Sequence, residues 1–414
     1  MMAPMRTMGC LQARGMVLLP VLLVAAAVCF MPLISSVVGE VTLVEDDAGA
    51  FHINTSDPAS QPVFVNGVNV HGALSTLMST VSEQQRAIDR VRGKVCTPSA
   101  TTFGQLSSTT YKWLGAVLAN NGLIYAAPRN SPSVLIIDPS THTLDTTTIS
   151  GLGTDILKWA GAVLAHNGLI YMFPANRETM LIIDPDTNTA DTTSIHSLGS
   201  GQRKWYSGVV ADNGLIFGIP FAAGSVLIID PNTNTADTTT LAGLSSQEYK
   251  WYGGVQADNG LIYCIPVAAS SVLIINPESF TMDLTTISGF GSDLKWYGGV
   301  LAGNGLIFTI PFHATTTLVI NPTTNIAEEL PVAQGSGPSK WTGGVLAPNG
   351  NIVGIPLGAS SALIIDPSSN TTDTTSIDGL AGSYKWFDGV LADNGLVYGI
   401  PFSAESVLVI DPGC

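Results

Sequence analysis

Lysine followed by tryptophan recurs at Lys112, Lys158, Lys204, Lys250, Lys295, Lys340 and Lys385, and the seven tryptophans so placed are all the chain contains. Seven ammonium groups gathered at one end of a molecule repel each other and draw anions, which makes them a candidate site for an acidic ligand. The same lysines could instead bond main-chain carbonyls of a neighbouring repeat, with each stem lying on its tryptophan. The residue types leave both readings open. Arg129, Arg177 and Arg203 complete the basic set, since no other base occurs from residue 97 onward. The histidines (His52, His71, His142, His166, His196 and His313) are scattered without metal-ligand spacing. Neither a Gly-x-Ser-x-Gly elbow nor a phosphate loop is present, so no catalytic residue, metal or cofactor is assigned.

The elements that must position those lysines follow from their spacing. Successive tryptophans lie 46, 46, 46, 45, 45 and 45 residues apart. A period in the forties with strand-like content marks a propeller in which each repeat is one blade. The third repeat runs Lys204-Trp-Tyr-Ser-Gly-Val-Val, then Asn213-Gly, Leu215-Ile-Phe-Gly-Ile-Pro, Val226-Leu-Ile-Ile-Asp-Pro and Asp237-Thr-Thr-Thr-Leu. Four short apolar or threonine-rich runs separated by turn residues predict four strands. Asn-Gly, present in every repeat, predicts a type I′ hairpin with positive φ at both residues. Asp-Pro followed by Thr and Asn predicts the turn between the third and fourth strands. Asn276 and Asn321 replace that Asp in two repeats and preserve its hydrogen bond. Glycine in the first strand marks close approach around a central channel, and each tryptophan is expected to fill the gap between blades.

The seventh repeat ends after its third strand at Val409-Ile410-Asp411-Pro412-Gly413-Cys414, while residues 100 to 106 align with a fourth strand. The segment ahead of the first blade should therefore complete the last one and remove its open edge. On the repeat alignment Cys96 falls at the position of Asn234 and Cys414 at that of Thr233. A Cys96–Cys414 disulfide would restore the missing covalent link, closing a loop of about 320 residues worth roughly 5 kcal/mol in the chain-entropy account. Two free terminal thiols are the alternative. Cys264, in a second strand, reads as a buried thiol.

Ahead of the propeller, residues 1–15 form a basic tail and residues 16–38 carry no charge, which predicts a signal peptide or an uncleaved signal anchor. Either puts the rest outside the cell or in the secretory lumen, as a type II membrane protein or a secreted one. Residues 39–73 read as an extended linker. In 74–95, Leu74, Leu77, Val81, Gln84, Ile88, Val91 and Val95 form a heptad stripe. It predicts a short coiled-coil stalk joining copies of the chain, or a lone amphipathic helix. Asn54-Thr-Ser and Asn370-Thr-Thr are candidate N-glycan acceptors. Residues 96–414 form the propeller.

The net charge of −15 argues against nucleic acid as a partner. The ten bases of the repeat region all fall at the Lys-Trp pole, whereas the Asn-Gly and Asp-Pro pole is acidic. The run Asn213-Gly-Leu-Ile-Phe, with Val226-Leu-Ile-Ile-Asp-Pro-Asn-Thr-Asn, resembles the core of kelch-type propeller repeats over residues 100 to 414. Departures are the Ile-Pro ending of the second strand and the lack of a tryptophan after Asp-Pro. The resemblance implies a seven-bladed all-β propeller with a binding-platform habit, and no catalytic residues. The expectation is a propeller head whose basic pole takes an acidic glycan or protein. A ligand-free scaffold and an enzyme acting on extracellular polymers are the other readings.

Overall fold

Residues 41–45, 51–55, 64–65, 68–333 and 338–414 are described by the computed structural model. The uncharged leader and the basic tail lie outside these residues. Among the described residues no helix is long and apolar enough to cross a membrane.

In the unit before the propeller, Val41–Glu45 pairs antiparallel with Phe51–Thr55, and Phe64–Val65 pairs with Val68–Asn69. The helix α1 spans Val70–Val95, starting a few residues ahead of the predicted stripe. Its start is fixed by Asn69, whose Oδ1 accepts from the Gly72 N–H at 2.9 Å. This is the bond an Asn cap supplies to an otherwise unpaired donor. Leu74, Leu77 and Val81 of the stripe are exposed.

From Ser99 onward the described residues form seven four-stranded antiparallel sheets. In the third blade the strands are Trp205–Val210, Ile216–Pro220, Leu227–Asp230 and Thr235–Asp237, hydrogen-bonded in that order. The second strand of every blade is buried along its whole length, because neighbouring blades cover both faces. Each tryptophan occupies an inter-blade gap: Trp251, for example, packs with Val209, Phe217 and Ile219 of the preceding blade. Its Nε1–H donates to the carbonyl of Ser271, twenty residues on, and all seven tryptophans repeat that bond.

The ring closes as the truncated seventh repeat requires. Ser99–Phe103 pairs with Val407–Asp411, from Val407 opposite Phe103 to Asp411 opposite Ser99. Cys96 and Cys414 are joined by a disulfide with Cα atoms 4.7 Å apart, bridging a sequence separation of 318. Cys264 is a fully buried thiol, pushed up by burial.

The Asn-Gly turn differs from expectation. Gly122, Gly168, Gly214, Gly260, Gly305, Gly350 and Gly395 have positive φ, but none of the preceding asparagines does. Ala119 accepts from Gly122 N–H and bonds Leu123 through its own N–H. This is a three-residue loop ending in a left-handed glycine, the next most common hairpin solution after the two-residue turns. It frees the asparagine side chain for other work. Asn121 Oδ1 accepts from Leu123 N–H at 3.0 Å, and its Nδ2 donates to Pro185 of the next blade at 2.9 Å. Asparagines 167, 213, 259, 304, 349 and 394 repeat the inter-blade bond, the last reaching Pro139 in the first blade. At the Asp-Pro turns, Asn276 and Asn321 accept the same two N–H bonds as Asp138, Asp184 and Asp366.

Candidate functional site

Each strand leaving the Lys-Trp pole begins with a lysine that faces inward. Lys112, Lys158, Lys204, Lys250, Lys295, Lys340 and Lys385 are all buried. The Lys204 ammonium donates to the carbonyls of Ala175, Arg177 and Gly201, at 2.8 to 3.2 Å. Lys385 does the same with Leu357, Ala359 and Gly382, and Lys112 reaches Ala404 across the closure. The Lys204 ammonium stands 5.9 Å from the ring of Trp205. A ring of free ammonium groups at the mouth, one of the two readings the sequence left open, is therefore not what the structure contains. These lysines are inter-blade staples, with carbonyls as their counter-dipoles. Burial lowers Lys158, Lys204, Lys250, Lys295, Lys340 and Lys385 to about 8, and lowers Lys112 as well.

Inside the circle of lysines the pole sinks into a bowl of about 250 Å³. Three repeat positions build it. The residue after tryptophan supplies Tyr206, Tyr297 and Phe387; the residue after the second-strand proline supplies Phe221, Phe312 and Phe402; the residue before lysine supplies Tyr111, Tyr249 and Tyr384. The rings contact one another: Tyr206 stacks on Phe221 at 4.2 Å, Tyr297 meets Phe312 at 4.3 Å, and Phe387 meets Phe402 at 5.0 Å. Blade two offers only Leu157, Ala160 and Ala175 at the corresponding positions, so the aromatic wall is asymmetric.

Arg129 occupies the post-proline position of the first blade, where every other blade carries an apolar residue. Its guanidinium lies 5.3 Å from the Tyr111 ring and 5.2 Å from Phe402, and the Tyr206 side chain, two blades away, is near enough to favour its charge. Its buried Nε has no hydrogen-bond partner. No carboxylate lines the bowl. Burial lowers the Arg129 pKa, a shift partly offset by the tyrosines and reinforced by Arg203. Arg203 is also at the rim but already compensated, donating to Glu248 at 2.6 Å and Tyr249 Oη at 2.9 Å. Arg177 lies elsewhere, in an open groove, paired with Asp155 at 2.6 Å. The structure thus brings Arg129 and Arg203 together in the bowl, and separates them from Arg177 and from the lysines' ammonium groups.

The channel is a second, smaller space of about 140 Å³, lined by glycines of the innermost strands. A Cβ at Gly161 would stand 2.6 Å from the Tyr206 carbonyl, and one at Gly253 2.9 Å from the Gly298 Cα. Glycine is therefore required where the strands converge. Only Ser207 and Asp388 carry side chains at this repeat position. Asp388 accepts from the Gly389 N–H at 2.9 Å, and burial raises it to about 6 against the opposing main-chain bonds. Among the described residues, no three His, Cys, Asp or Glu side chains form a metal-holding group.

The bowl aromatics were not singled out from the sequence, although a column-by-column comparison of the repeats shows them as the variable positions flanking Lys-Trp and following proline.

No family model and no curated protein sequence matches the chain. Solved structures do. A streptogramin B lyase superposes with a TM-score of 0.58 at 12% identity, covering 76% of this chain and 97% of the lyase. Virginiamycin B lyase from Staphylococcus aureus gives 0.60 at 9% identity, covering 76% and 99%. The extracellular domain of a hybrid two-component system from B. thetaiotaomicron gives 0.55 at 10%, covering 75% of this chain and 42% of that one. At these identities the likeness is one of fold, a seven-bladed propeller, and it is not specific to kelch proteins.

Proposed function

We propose that the protein is an extracellular or lumenal binding module whose Lys-Trp pole takes an anionic ligand, an acidic glycan or an acidic protein segment, in the aromatic bowl. Arg129 is the observation that carries this reading. A guanidinium set among aromatic rings without a carboxylate is a charge awaiting its partner, since a buried charge is costly unless paired. Arg203 adds field at the rim, and the buried lysines add long-range attraction without touching the ligand. The asymmetry of the wall weighs against a ligand-free scaffold, which has no use for one arginine in an apolar column. The kelch-like blade pattern agrees with a binding platform at the level of fold alone.

The Cys96–Cys414 disulfide supports an oxidising compartment. The uncharged leader would deliver the chain there, as anchor or as signal. Leu74, Leu77 and Val81, exposed and spaced as a heptad seam, support pairing of α1 with a second copy of the chain. Sedimentation of Leu77→Glu beside the parent would show a loss of the oligomer.

The deciding experiment is a titration with sulfated and uronic oligosaccharides at two salt concentrations. Arg129→Gln should lose binding by tenfold or more, whereas Lys250→Met should retain it in whatever fraction stays folded. Binding indifferent to Arg129 would overturn the assignment.

A further inference from the structure

The shape and chemistry of the bowl narrow the ligand, given the reading of that bowl as the binding site. Its 250 Å³ is smaller than the roughly 300–1,000 Å³ of sites that hold drug-sized molecules. Tyr297 lines the bowl and Tyr252, 5.1 Å from it, lines the glycine channel beneath, so the two spaces are distinct and meet at this pair. The walls are ring faces and edges, and one guanidinium without a carboxylate partner lies beside Tyr111 and Phe402. Aromatic walls reward a ring with an apolar face, whether an arene or a pyranose, and a guanidinium fork rewards a carboxylate, sulfate or phosphate. We propose that the bowl takes a single ring with an apolar face, an arene or the C–H face of a pyranose, bearing one anionic group and entering end-on, with the anion on Arg129 and the ring against the tyrosine and phenylalanine side chains. That chemistry is shared by the terminal uronic acid of a glycan and by a free arene carboxylate.

Calorimetric titration of the full chain with glucuronate, indole-3-carboxylate, acetate and phenol tests this. At least one ring acid should bind tenfold or more tightly than both acetate and phenol, and lose that margin in Arg129→Gln. A preference for glucuronate assigns a glycan terminus, and a preference for the indole acid assigns a small arene acid. Acetate binding as tightly as either ring acid would overturn the ring requirement while leaving the anion site standing. Ring acids indifferent to Arg129→Gln would remove the site itself. Oligouronates blocked at their ends and binding as well as free ones would overturn end-on entry.

A separate observation concerns the opposite pole. Asn188, Asn234, Asn325 and Asn370 occupy the same left-handed position of their Asp-Pro turns. The first three accept hydrogen bonds from Tyr125, Tyr171 and Tyr263 of the preceding blade, at 2.7 to 2.8 Å. The residue facing Asn370 is Phe308, which has no hydroxyl, and Asn370 is exposed. It is also the one of the four followed by a threonine two residues on. We infer that Asn370 is an N-glycan acceptor. Its amide nitrogen would displace diphosphate from the anomeric carbon of a polyprenyl-diphosphate oligosaccharide; an N–C bond forms, the C–O bond breaks, polyprenyl diphosphate leaves and the amide loses a proton. Peptide mapping of the full chain secreted from a eukaryotic host, with and without amidase release of glycans, should find residue 370 modified. The modification should vanish in Asn370→Gln and in Thr372→Ala, and persist in Asn54→Gln. An unmodified residue 370 in secreted protein with its disulfide formed would overturn the assignment.

Discussion

Each blade meets solvent at two ends, and the two ends use their polar residues differently. At the Asn-Gly end the residues that recur also do the same job in every blade. Seven asparagines close their own hairpins and reach a proline carbonyl of the next blade. At the Lys-Trp end, lysine and tryptophan recur and are buried in the same roles, the lysine bonding carbonyls of the preceding blade and the tryptophan filling the gap between blades, but the residues beside them change from blade to blade. Those changing residues form the bowl. A side chain repeated sevenfold in this molecule belongs to the ring, and one that breaks the repeat, such as Arg129 or Asp388, is free to serve something else.

The comparison is sharpest if the two classes of residue are broken separately. The largest expected effect is on the closure. Replacing Cys96 and Cys414 by serine should lower stability by about 3–5 kcal/mol, read as a shift of the urea midpoint. Ligand affinity of the folded fraction should stay unchanged. Next comes a single staple. Lys204→Met takes the ammonium donor from the carbonyls of Arg177 and Gly201, while Ala175 keeps the main-chain N–H of residue 204, at a cost of about 2–4 kcal/mol. Arg129→Gln should do the reverse, sparing stability and weakening binding. If Lys204→Met proved neutral in urea but damaging to binding, the division between repeated and unrepeated residues would fail. On the other pole, Asn213→Ala removes the bonds to Leu215 and Pro277 and should cost about 1–2 kcal/mol by the same measurement.

Much of the ring was legible because its causes are local and repeat. Period, turn residues and the truncated last repeat lead to blade number, closure and the disulfide. The turn type was misjudged for a reason specific to Asn213 and its counterparts: Asn-Gly satisfies a two-residue turn, but the asparagine gains more from a wider loop that aims its amide at the next blade. For the lysines, charge alone could not decide. Whether an ammonium faces water or carbonyls depends on how closely the preceding blade's loop approaches, and that distance is set by packing between repeats. Arg129 was noticed only as one more base. Its meaning came from Tyr206, which lies 77 positions away in the chain and two blades away in the ring.

The same contrast has a pH signature, with opposite signs for turn and channel carboxylates. Asp237 and Asp283 are held at about 2, first by the hydroxyls of Thr240 and Thr286, then by further bonds from Thr239 and Thr285. A carboxylate depressed in the folded state adds stability above its unfolded value near 4, and loses it as pH falls through about 2. Asp388 is raised to about 6 by burial in the glycine channel. Below pH 4 it is protonated in both states and costs nothing; between 4 and 6 the folded protein binds the extra proton, so stability falls as pH rises. Asp388→Asn keeps an acceptor for the Gly389 N–H and removes the titration. It should therefore raise stability by about 1–2 kcal/mol at pH 7, allowing for water in the channel, and by nothing at pH 4. The paired Asp237→Asn, Asp283→Asn variant should instead be less stable than the parent at pH 7 and at pH 5, with the difference shrinking as pH falls from 4 toward 2. Urea midpoints at pH 2.5, 4, 5 and 7, taken as differences from the parent, cancel His313 and every other group common to both. A gain from Asp388→Asn that persisted at pH 4 would mean that its side chain strains the strands through its volume, and that its charge is not what sets it apart from the glycines in its column.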